Sequence, residues 1–398
     1  MSDLTGIRTP FYLYDLDLLK KTVSIASAEA RRFGYFIHYA IKANNDPVIS
    51  SIIRDNGLGA DCVSGNEVQK SLEYGFPNST IVYAGVGKTD EEIKLALAEE
   101  IFCLNCESAE ELDVIKEIAR LYGMKARVAL RVNPAIEADT HRNITTGLDE
   151  NKFGISLPHL KNALDICSNS EEIEFTGLHF HIGSQITSLG PYRRLCEKVN
   201  NIWREFDITA YGGSMLNLGG GFGIDYNDPE HNSIPDFKSF FEVFKRYLKL
   251  PAGTDVRFEL GRSLVGQCGR IVTRVLYTKK GVGKKFVITD AGMTELMRPS
   301  LYQARHHIIN TTSTGRTEKY DVVGPVCEST DVFGKDVVLP ETVRGDIIHI
   351  LSCGAYAGSM TLNFNLRDRA PAVYESGGRI LSHNEINDLR GFGSVLMP

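Results

Sequence analysis

The sequence is long enough for more than one domain, and its composition is typical of a globular protein. It has 398 residues, of which 24% are charged, and a formal net charge of -6. No basic tract is present, which argues against nucleic acid as a partner, and no apolar run of about 18 residues could cross a membrane. The first residues lack a signal-peptide pattern, and eight scattered cysteines fit a reducing compartment. We therefore expect a cytoplasmic protein.

Short apolar runs alternate with amphipathic stretches from about residue 35 to residue 266. Eight such units predict a (β/α)8 barrel, with an open doubly wound sheet as the alternative. The predicted strands are Phe36–Lys42, Gly59–Val63, Thr80–Tyr83, Ile101–Asn105, Arg127–Asn133, Phe175–Ile182, Met215–Leu218 and Val256–Leu260.

Strand-like runs dominate the chain after about Gly269, which predicts a mainly β C-terminal domain. These runs are Ile271–Thr278, Lys285–Thr289, Thr317–Val323 and Asp346–Leu351. A further run, Pro10–Tyr14, precedes the barrel, and we expect it to pair with the C-terminal strands. The predicted domains are an N-terminal segment (1–30) that joins the β domain, a barrel (31–268) and a C-terminal β domain (269–398).

Chemically unusual residues fall at the ends of the predicted barrel strands, where the reactive groups of barrel enzymes lie. Lys42 ends the first strand, Asp61 lies in the second, and His181 ends the sixth. A lysine that ends a buried strand is either solvated or a former of Schiff bases. The convergence of such residues on one rim favours the second interpretation.

A glycine-rich segment follows the seventh predicted strand. Gly219, Gly220, Gly221 and Gly223 leave a loop almost without side chains, so its backbone N–H groups could converge on a phosphate. Ile224 stands where a dinucleotide fingerprint needs glycine, which argues against that motif. A tight turn without a ligand remains the alternative.

Two histidines and a glutamate lie at neighbouring predicted strands. His179 and His181 are two residues apart and are expected to share a face of their strand, where they could bind a metal, support the fold or contact an organic cofactor. Glu259 could pair with Arg262, or it could keep the nitrogen of a pyridine ring protonated.

The predicted β domain carries a second group of polar motifs. Cys327 and Glu328 lie together in a polar loop, where the thiol could donate a proton and the carboxylate could bind an ammonium group. Arg298 and Tyr302 lie in the run Met297–Tyr302, and Tyr356 lies in a glycine-rich turn. An arginine of this kind could bind a carboxylate with two hydrogen bonds.

Taken in chain order, these motifs resemble the fold type III, alanine-racemase-like decarboxylases that use pyridoxal 5'-phosphate. The resemblance covers about Pro10 to Asn365. It is carried by Tyr39–Asn44, His179–Gln185, the triple glycine, Met297–Pro299 and Cys327–Ser329. One departure is Leu260, where the family usually has proline; it removes no reacting group.

The resemblance implies a role for each site residue. Lys42 would form the Schiff base with the cofactor, His181 would stack on its ring, and Glu259 would face the pyridine nitrogen. Ser184, Gly219, Gly220 and Gly221 would hold the phosphate, and the cofactor site would also include Asp61, Gly261, Arg262 and Tyr356. Substrate would contact Arg262, Arg298, Tyr302, Cys327, Glu328 and Tyr356.

The implied reaction is decarboxylation of an amino acid, with Cys327 as the proton donor to the carbanion. Arg298 and Glu328 together favour a substrate with both charges at its far end, such as meso-diaminopimelate, which would give L-lysine in the last step of lysine biosynthesis. Cys327 and Glu328 would reach the partner subunit's site, so a homodimer is implied. No metal is expected. The alternatives are decarboxylation of ornithine, arginine or carboxynorspermidine, a racemase, a metallohydrolase and a non-catalytic binding protein.

Overall fold

The computed structural model describes residue 4 and residues 6–136 and 152–390, and the chain divides into two compact units. The barrel unit comprises residues 23–223 and 236–261; the sheet unit comprises residues 1–22, 224–235 and 262–398. The domain boundaries taken from the sequence stay a prediction, and their segments 1–3, 5, 137–151 and 391–398 lie outside the described residues.

The strands of the described residues are, in chain order, β1 (Phe11–Asp15), β2 (Phe36–Ala40), β3 (Gly59–Cys62), β4 (Ile81–Tyr83), β5 (Cys103–Cys106), β6 (Ala126–Arg131), β7 (Ile173–His179), β8 (Met215–Asn217), β9 (Asp255–Leu260), β10 (Gly269–Lys280), β11 (Lys285–Thr289), β12 (Ile308–Asn310), β13 (Thr317–Val323), β14 (Val332–Pro340), β15 (Ile347–Ile350), β16 (Ala372–Ser376) and β17 (Arg379–Ile380).

The helices of the same residues are α1 (Leu16–Arg32), α2 (Pro47–Asp55), α3 (Gly65–Glu73), α4 (Asp90–Ala98), α5 (Ala109–Leu121), α6 (Leu157–Ser168), α7 (Gly190–Glu205), α8 (Phe237–Tyr247), α9 (Arg262–Val265), α10 (Arg298–Tyr302) and α11 (His383–Leu389). Hydroxyl groups start four of them, because Ser64, Thr89, Ser108 and Ser382 each accept the backbone N–H three residues on. None of these helices is both long and apolar enough to span a membrane.

The barrel unit contains a closed barrel of eight parallel strands, β2 to β9. This confirms the predicted barrel and excludes the open doubly wound sheet. β9 closes the barrel on β2, where His38 lies opposite Glu259. Helices cover the outside, and α8 packs Phe240, Phe241 and Phe244 around Phe258 of β9, with ring centroids 4.7 to 5.7 Å from that ring.

Two barrel strands end earlier in the structure than the sequence predicts, at the C-terminal ends that precede Lys42 and His181. β2 ends at Ala40, and Lys42 lies in a single 3₁₀ turn, Ile41–Ala43. β7 ends at His179, so His181 lies beyond the strand. The apolar character of both segments continues past the last ladder residue, because the chain stays buried while it turns over the rim. The expectation that His179 and His181 share a strand face is therefore wrong.

The sheet unit contains a mixed sheet of nine strands among the described residues. The order β14-β13-β11-β10-β1-β16-β17 forms its main path, while β15 pairs with β10 and β12. β1 lies antiparallel to β10 and parallel to β16, which confirms that the N-terminal strand joins the C-terminal β structure. Four strands of this sheet, β12, β14, β16 and β17, were not predicted; in β14, Gly334 and Asp336 interrupt the apolar alternation.

His38, a buried histidine in β2, is hydrogen-bonded on both ring nitrogens and has a lowered pKa. His38 is fully buried; its Nδ1 lies 2.9 Å from the Thr80 carbonyl oxygen, and its Nε2 lies 3.2 Å from Nη1 of Arg257. Because the arginine is always a donor, Nε2 accepts and Nδ1–H donates. Burial, and then the charge of Arg257, lower the pKa of His38 from 6.5 to about 3.

We expect this histidine to make the protein acid-sensitive. In the folded protein His38 stays neutral down to about pH 3, whereas in the unfolded chain it takes up a proton below pH 6.5. The folded state is therefore fully stable with respect to this group above pH 6.5, and it loses free energy of unfolding as the pH falls towards 3. By about pH 5 the loss is about 2 kcal/mol. Urea unfolding of His38→Gln should show a correspondingly smaller decrease between neutral pH and pH 5. An unchanged pH dependence would contradict the assignment.

Candidate active site

Lys42 and Asp61 form an ion pair at the rim of the barrel unit. Lys42 Nζ lies 3.1 Å from Asp61 Oδ2; the lysine side chain is 35% exposed, whereas Asp61 is fully buried. Burial, then the charge of Glu259, raise the pKa of Asp61 to about 7 against the opposing effect of Lys42. The second oxygen, Oδ1, is buried without a hydrogen-bond partner. Gly261 follows β9 and leaves room for the methyl groups of Ala40 and Ala43 beside this lysine.

Glu259 is a buried carboxylate that accepts three hydrogen bonds, from side chains of β5, β7 and β8. Its Oε1 accepts from Nδ2 of Asn105 at 3.1 Å and from Nδ2 of Asn217 at 2.7 Å. Its Oε2 lies 3.0 Å from Nε2 of His179. Burial alone would raise the pKa of Glu259, but His179 and Lys42 outweigh it and hold the pKa well below its usual range.

His181 and the glycine loop are joined directly. The backbone N–H of Gly220 donates to His181 Nδ1 at 3.3 Å, so this nitrogen is an acceptor and the ring is neutral. Burial, then the positive charges of Arg131 and Lys42, lower the pKa of His181 well below its usual value. A neutral, half-buried imidazole is suited to lie against a flat ring. Ser184 follows and is also half-buried.

Glycine is required in the loop after β8 because other backbone approaches too closely for a side chain. A Cβ on Gly220 would lie 1.9 Å from the carbonyl oxygen of Glu259. Gly219 has a φ of +63°, and a Cβ there would lie 2.3 Å from the carbonyl oxygen of Phe180. Gly221 has a φ of +89°, and a Cβ there would lie 2.2 Å from the carbonyl oxygen of Gly183. The loop thus presents bare backbone between β7 and β9, as an anion cradle requires.

We expect Gly220→Ala to destabilise the barrel unit by at least about 3 kcal/mol, since the added methyl group can only be placed by moving the β9 backbone. Gly87→Ala is the matched control, because a Cβ there meets nothing within 4 Å and Gly87 lies on an exposed loop. Thermal unfolding compares the two variants. Equal melting temperatures would show that the loop is not held against β9.

The sheet unit buries two arginines around one tyrosine. Arg262 donates from Nη1 to the Tyr226 hydroxyl at 2.7 Å, and its guanidinium lies 4.7 Å from the ring centre of Tyr356. The guanidinium of Arg298 lies 4.7 Å from the ring centre of Tyr226. Tyr302 ends the same short helix that Arg298 begins. The structure thus brings together the predicted residues Arg262, Arg298 and Tyr356.

Sequence reasoning missed two residues of this cluster, Tyr226 and His306. His306 accepts from Arg298 Nη1 at 2.7 Å and donates from Nδ1 to the Leu351 carbonyl oxygen at 2.8 Å. Burial, then the charge of Arg298, lower the pKa of His306 to about 3, so the ring is neutral and can accept. The signal available in the sequence was weak: a tyrosine in a polar loop and one of two adjacent histidines.

Cys327 and Glu328 lie in a loop of the sheet unit and are not part of the arginine cluster formed by Arg262, Arg298 and Tyr226. Both are exposed, in the loop between β13 and β14. In the part of the chain that the structure describes, no hydrogen bond or ion pair joins either side chain to Arg262 or Arg298; the Cys327 backbone N–H donates to Asn365 Oδ1 at 3.2 Å. All eight cysteines lie within the described residues, and Cys327 is the exposed one.

Comparison with known proteins agrees with the fold and with the chemistry of the rim. A family model described as the pyridoxal binding domain of pyridoxal-dependent decarboxylases matches residues 19–266. A diaminopimelate decarboxylase from Bacteroides thetaiotaomicron is 49% identical over 371 residues, which cover 93% of this chain and 96% of the relative.

Solved structures of known decarboxylases have the same fold as this chain. Diaminopimelate decarboxylase from Helicobacter pylori, crystallised with L-lysine, superposes with a TM-score of 0.88 at 38% identity and covers 98% of both chains. Arginine decarboxylase of Paramecium bursaria Chlorella virus has a TM-score of 0.81 at 22% identity, with 93% of this chain and 97% of its own chain covered. The second likeness concerns the fold alone.

The fold and the rim chemistry define a barrel enzyme of the pyridoxal-dependent class. This chain belongs to the pyridoxal-dependent decarboxylase family, to which the diaminopimelate decarboxylases also belong.

The residues at the rim fit the family's cofactor, pyridoxal phosphate. A lysine amine, a side-chain-free backbone loop and a buried anionic carboxylate are the three groups that its aldehyde, phosphate and ring nitrogen need. Asp61 Oδ1 also remains without a hydrogen-bond partner.

Proposed function

We propose that this protein decarboxylates meso-diaminopimelate to L-lysine and carbon dioxide, the last step of lysine biosynthesis. The observation that carries the substrate assignment is Arg298. It is only 4% exposed, its Nε has no hydrogen-bond partner, and among the described residues its Nη1 donates to the neutral His306 rather than to a carboxylate. A buried guanidinium without an anion is costly, so the site is suited to a substrate that brings its own carboxylate. The likeness to the diaminopimelate decarboxylases supports the same assignment.

The barrel unit would hold the cofactor. Lys42 would bind it covalently, His181 would lie against its ring, and Glu259 would face the ring nitrogen. The phosphate would be held by the backbone of Gly219, Gly220 and Gly221 together with Ser184, and we also assign Asp61, Gly261, Arg262 and Tyr356 to this site. When bound, the cofactor supplies an electron sink for the carbanion left by decarboxylation.

The chain's own groups would then handle binding and protons. Arg262, Arg298, Tyr302 and Tyr356 would bind the substrate, with the distal carboxylate on the arginines. Glu328 would bind the distal ammonium group. Cys327 would donate the proton that replaces carbon dioxide at the α-carbon, and the amine of Lys42 would release the product. The ion pair with Asp61 places a proton acceptor 3.1 Å from that amine.

We propose a cytoplasmic homodimer in which Cys327 and Glu328 serve the partner subunit. The exposure of both residues supports this, since neither is engaged by the arginine cluster of its own chain. Mixing Lys42→Ala with Cys327→Ser should then restore up to about a quarter of the activity through hybrid dimers. Absence of any restoration, with hybrids verified by mass spectrometry, would contradict shared sites. The eight free cysteines support a reducing compartment.

The substrate assignment is tested by initial rates of carbon dioxide release. The protein loaded with pyridoxal phosphate should prefer meso-diaminopimelate over L-ornithine, L-arginine and carboxynorspermidine by at least about 10²-fold in kcat/KM, because only the first carries a carboxylate at its far end. Preference for any other compound would overturn the substrate. Racemisation without carbon dioxide would overturn the reaction.

A further inference from the structure

Glu259 is held by three buried side-chain donors, and each donor comes from a different strand. Asn105 lies in β5, His179 ends β7 and Asn217 ends β8. All three side chains are buried to 1% exposure or less, and their donor atoms lie 2.7 to 3.1 Å from the carboxylate oxygens.

The three hydrogen bonds leave one acceptor position on Glu259. A carboxylate has about four lone-pair positions, two on each oxygen. Asn105 and Asn217 occupy both positions on Oε1, and His179 occupies one on Oε2. The remaining position is therefore on Oε2, and its direction is fixed because the other three are taken.

The arrangement costs folding energy that a purely structural role would avoid. Oδ1 of Asn105 and Nδ1 of His179 are buried without a hydrogen-bond partner, and such atoms are destabilising. Asn217 shows what the arrangement achieves: its Nδ2 donates to Glu259, and its Oδ1 accepts the N–H of Gly219 at 2.9 Å. One side chain thus sets both the carboxylate and the first residue of the glycine loop.

We propose that Asn105, His179 and Asn217 are positioning residues that keep Glu259 ionised and direct its last acceptor position at the protonated ring nitrogen of the cofactor. The inference rests on the proposed function, because it takes Glu259 as the partner of that nitrogen. Hydrogen-bond donors stabilise the anionic form of a carboxylate. An ionised Glu259 in turn stabilises the N–H form of the ring, which is the form that accepts electrons.

The experiment replaces each asparagine by aspartate, which keeps the shape and puts a second acid beside Glu259 in place of a neutral amide donor. Two carboxylates at this distance cannot both ionise readily. Nitrogen NMR of protein loaded with ring-labelled pyridoxal phosphate should report a protonated ring in the wild type and an unprotonated ring in Asn105→Asp and Asn217→Asp. We expect kcat to fall at least about tenfold, the effect of one pKa unit. His179→Gln, which retains a donor, should keep the protonated signal, and His179→Leu should lose it.

Two comparisons separate positioning from support of the fold. Asn310→Asp is the matched control, since Asn310 also donates from Nδ2 to a carboxylate, Asp346 at 2.9 Å, in the sheet unit; it should leave the ring signal unchanged. In a Glu259→Gln background, Asn217→Asp should have no further effect on the ring or on kcat, because no anion remains to be held.

A protonated ring in both aspartate variants, or additive losses of kcat in the double variant, would overturn the proposal. The ring readout needs bound cofactor but no turnover. Loaded protein that shows the expected loss of protonation but does not decarboxylate diaminopimelate would therefore support the positioning role while contradicting the proposed substrate.

Discussion

Lys42→Ala should lose the visible absorbance of the bound cofactor and at least about 10³-fold in kcat, because a covalent catalytic group has no substitute nearby. The lysine amine lies on a short turn rather than within a strand, so its side chain can move between Asp61 and a bound ligand. The absorbance spectrum and single-turnover carbon dioxide release measure the two losses separately.

Lys42→Arg is the control that separates covalent attachment from charge. Arginine can keep an ion pair with Asp61, but it stays protonated and is not a nucleophile. We expect it to be as inactive as Lys42→Ala while unfolding closer to the wild-type temperature. Substantial activity in Lys42→Arg would show that this position acts only through its charge.

Arg298→Leu should lower kcat/KM for meso-diaminopimelate by about 10²- to 10³-fold, the loss expected when one partner of a buried charged pair is removed. Arg298 is held on both sides: Tyr226 lies under its guanidinium and His306 accepts one of its N–H groups. The position of the charge is therefore fixed before substrate binds, which limits the cost of ordering it.

The effect should depend on the substrate. Slow turnover of L-ornithine, which has no distal carboxylate, should be almost unchanged in Arg298→Leu. Arg274→Leu is the matched control, because Arg274 also lies in the sheet unit but donates to the Gly345 carbonyl oxygen; it should leave both substrates unaffected. An equal loss for both substrates would mean that Arg298 supports the fold rather than the distal carboxylate.

Much of the fold was predictable because barrel strands are continuous apolar runs separated by amphipathic helices. The closed barrel and the pairing of β1 with the C-terminal sheet are confirmed. The errors lie at strand ends, where burial continues after the ladder stops: Lys42 is in a turn and His181 is beyond its strand. Hydrophobicity reports burial, and it does not report where backbone pairing ends.

The residues that the sequence did not reveal act through long-range contacts. Tyr226 contacts Arg298 across 72 positions of chain, and nothing in its local pattern indicates a cation beside it. Asn105 and Asn217 were more accessible to reasoning, because an asparagine within a buried strand needs hydrogen-bond partners, and the one local partner among the described residues is the Gly219 N–H that donates to Asn217 Oδ1. Only the closure of the barrel brings both to Glu259.

The central claim is most directly tested by the products of one reaction. Protein loaded with pyridoxal phosphate and given meso-diaminopimelate should release carbon dioxide and L-lysine in equal amounts, with neither formed by Lys42→Ala. Carbon dioxide without L-lysine, or unchanged diaminopimelate in the presence of bound cofactor, would contradict the account.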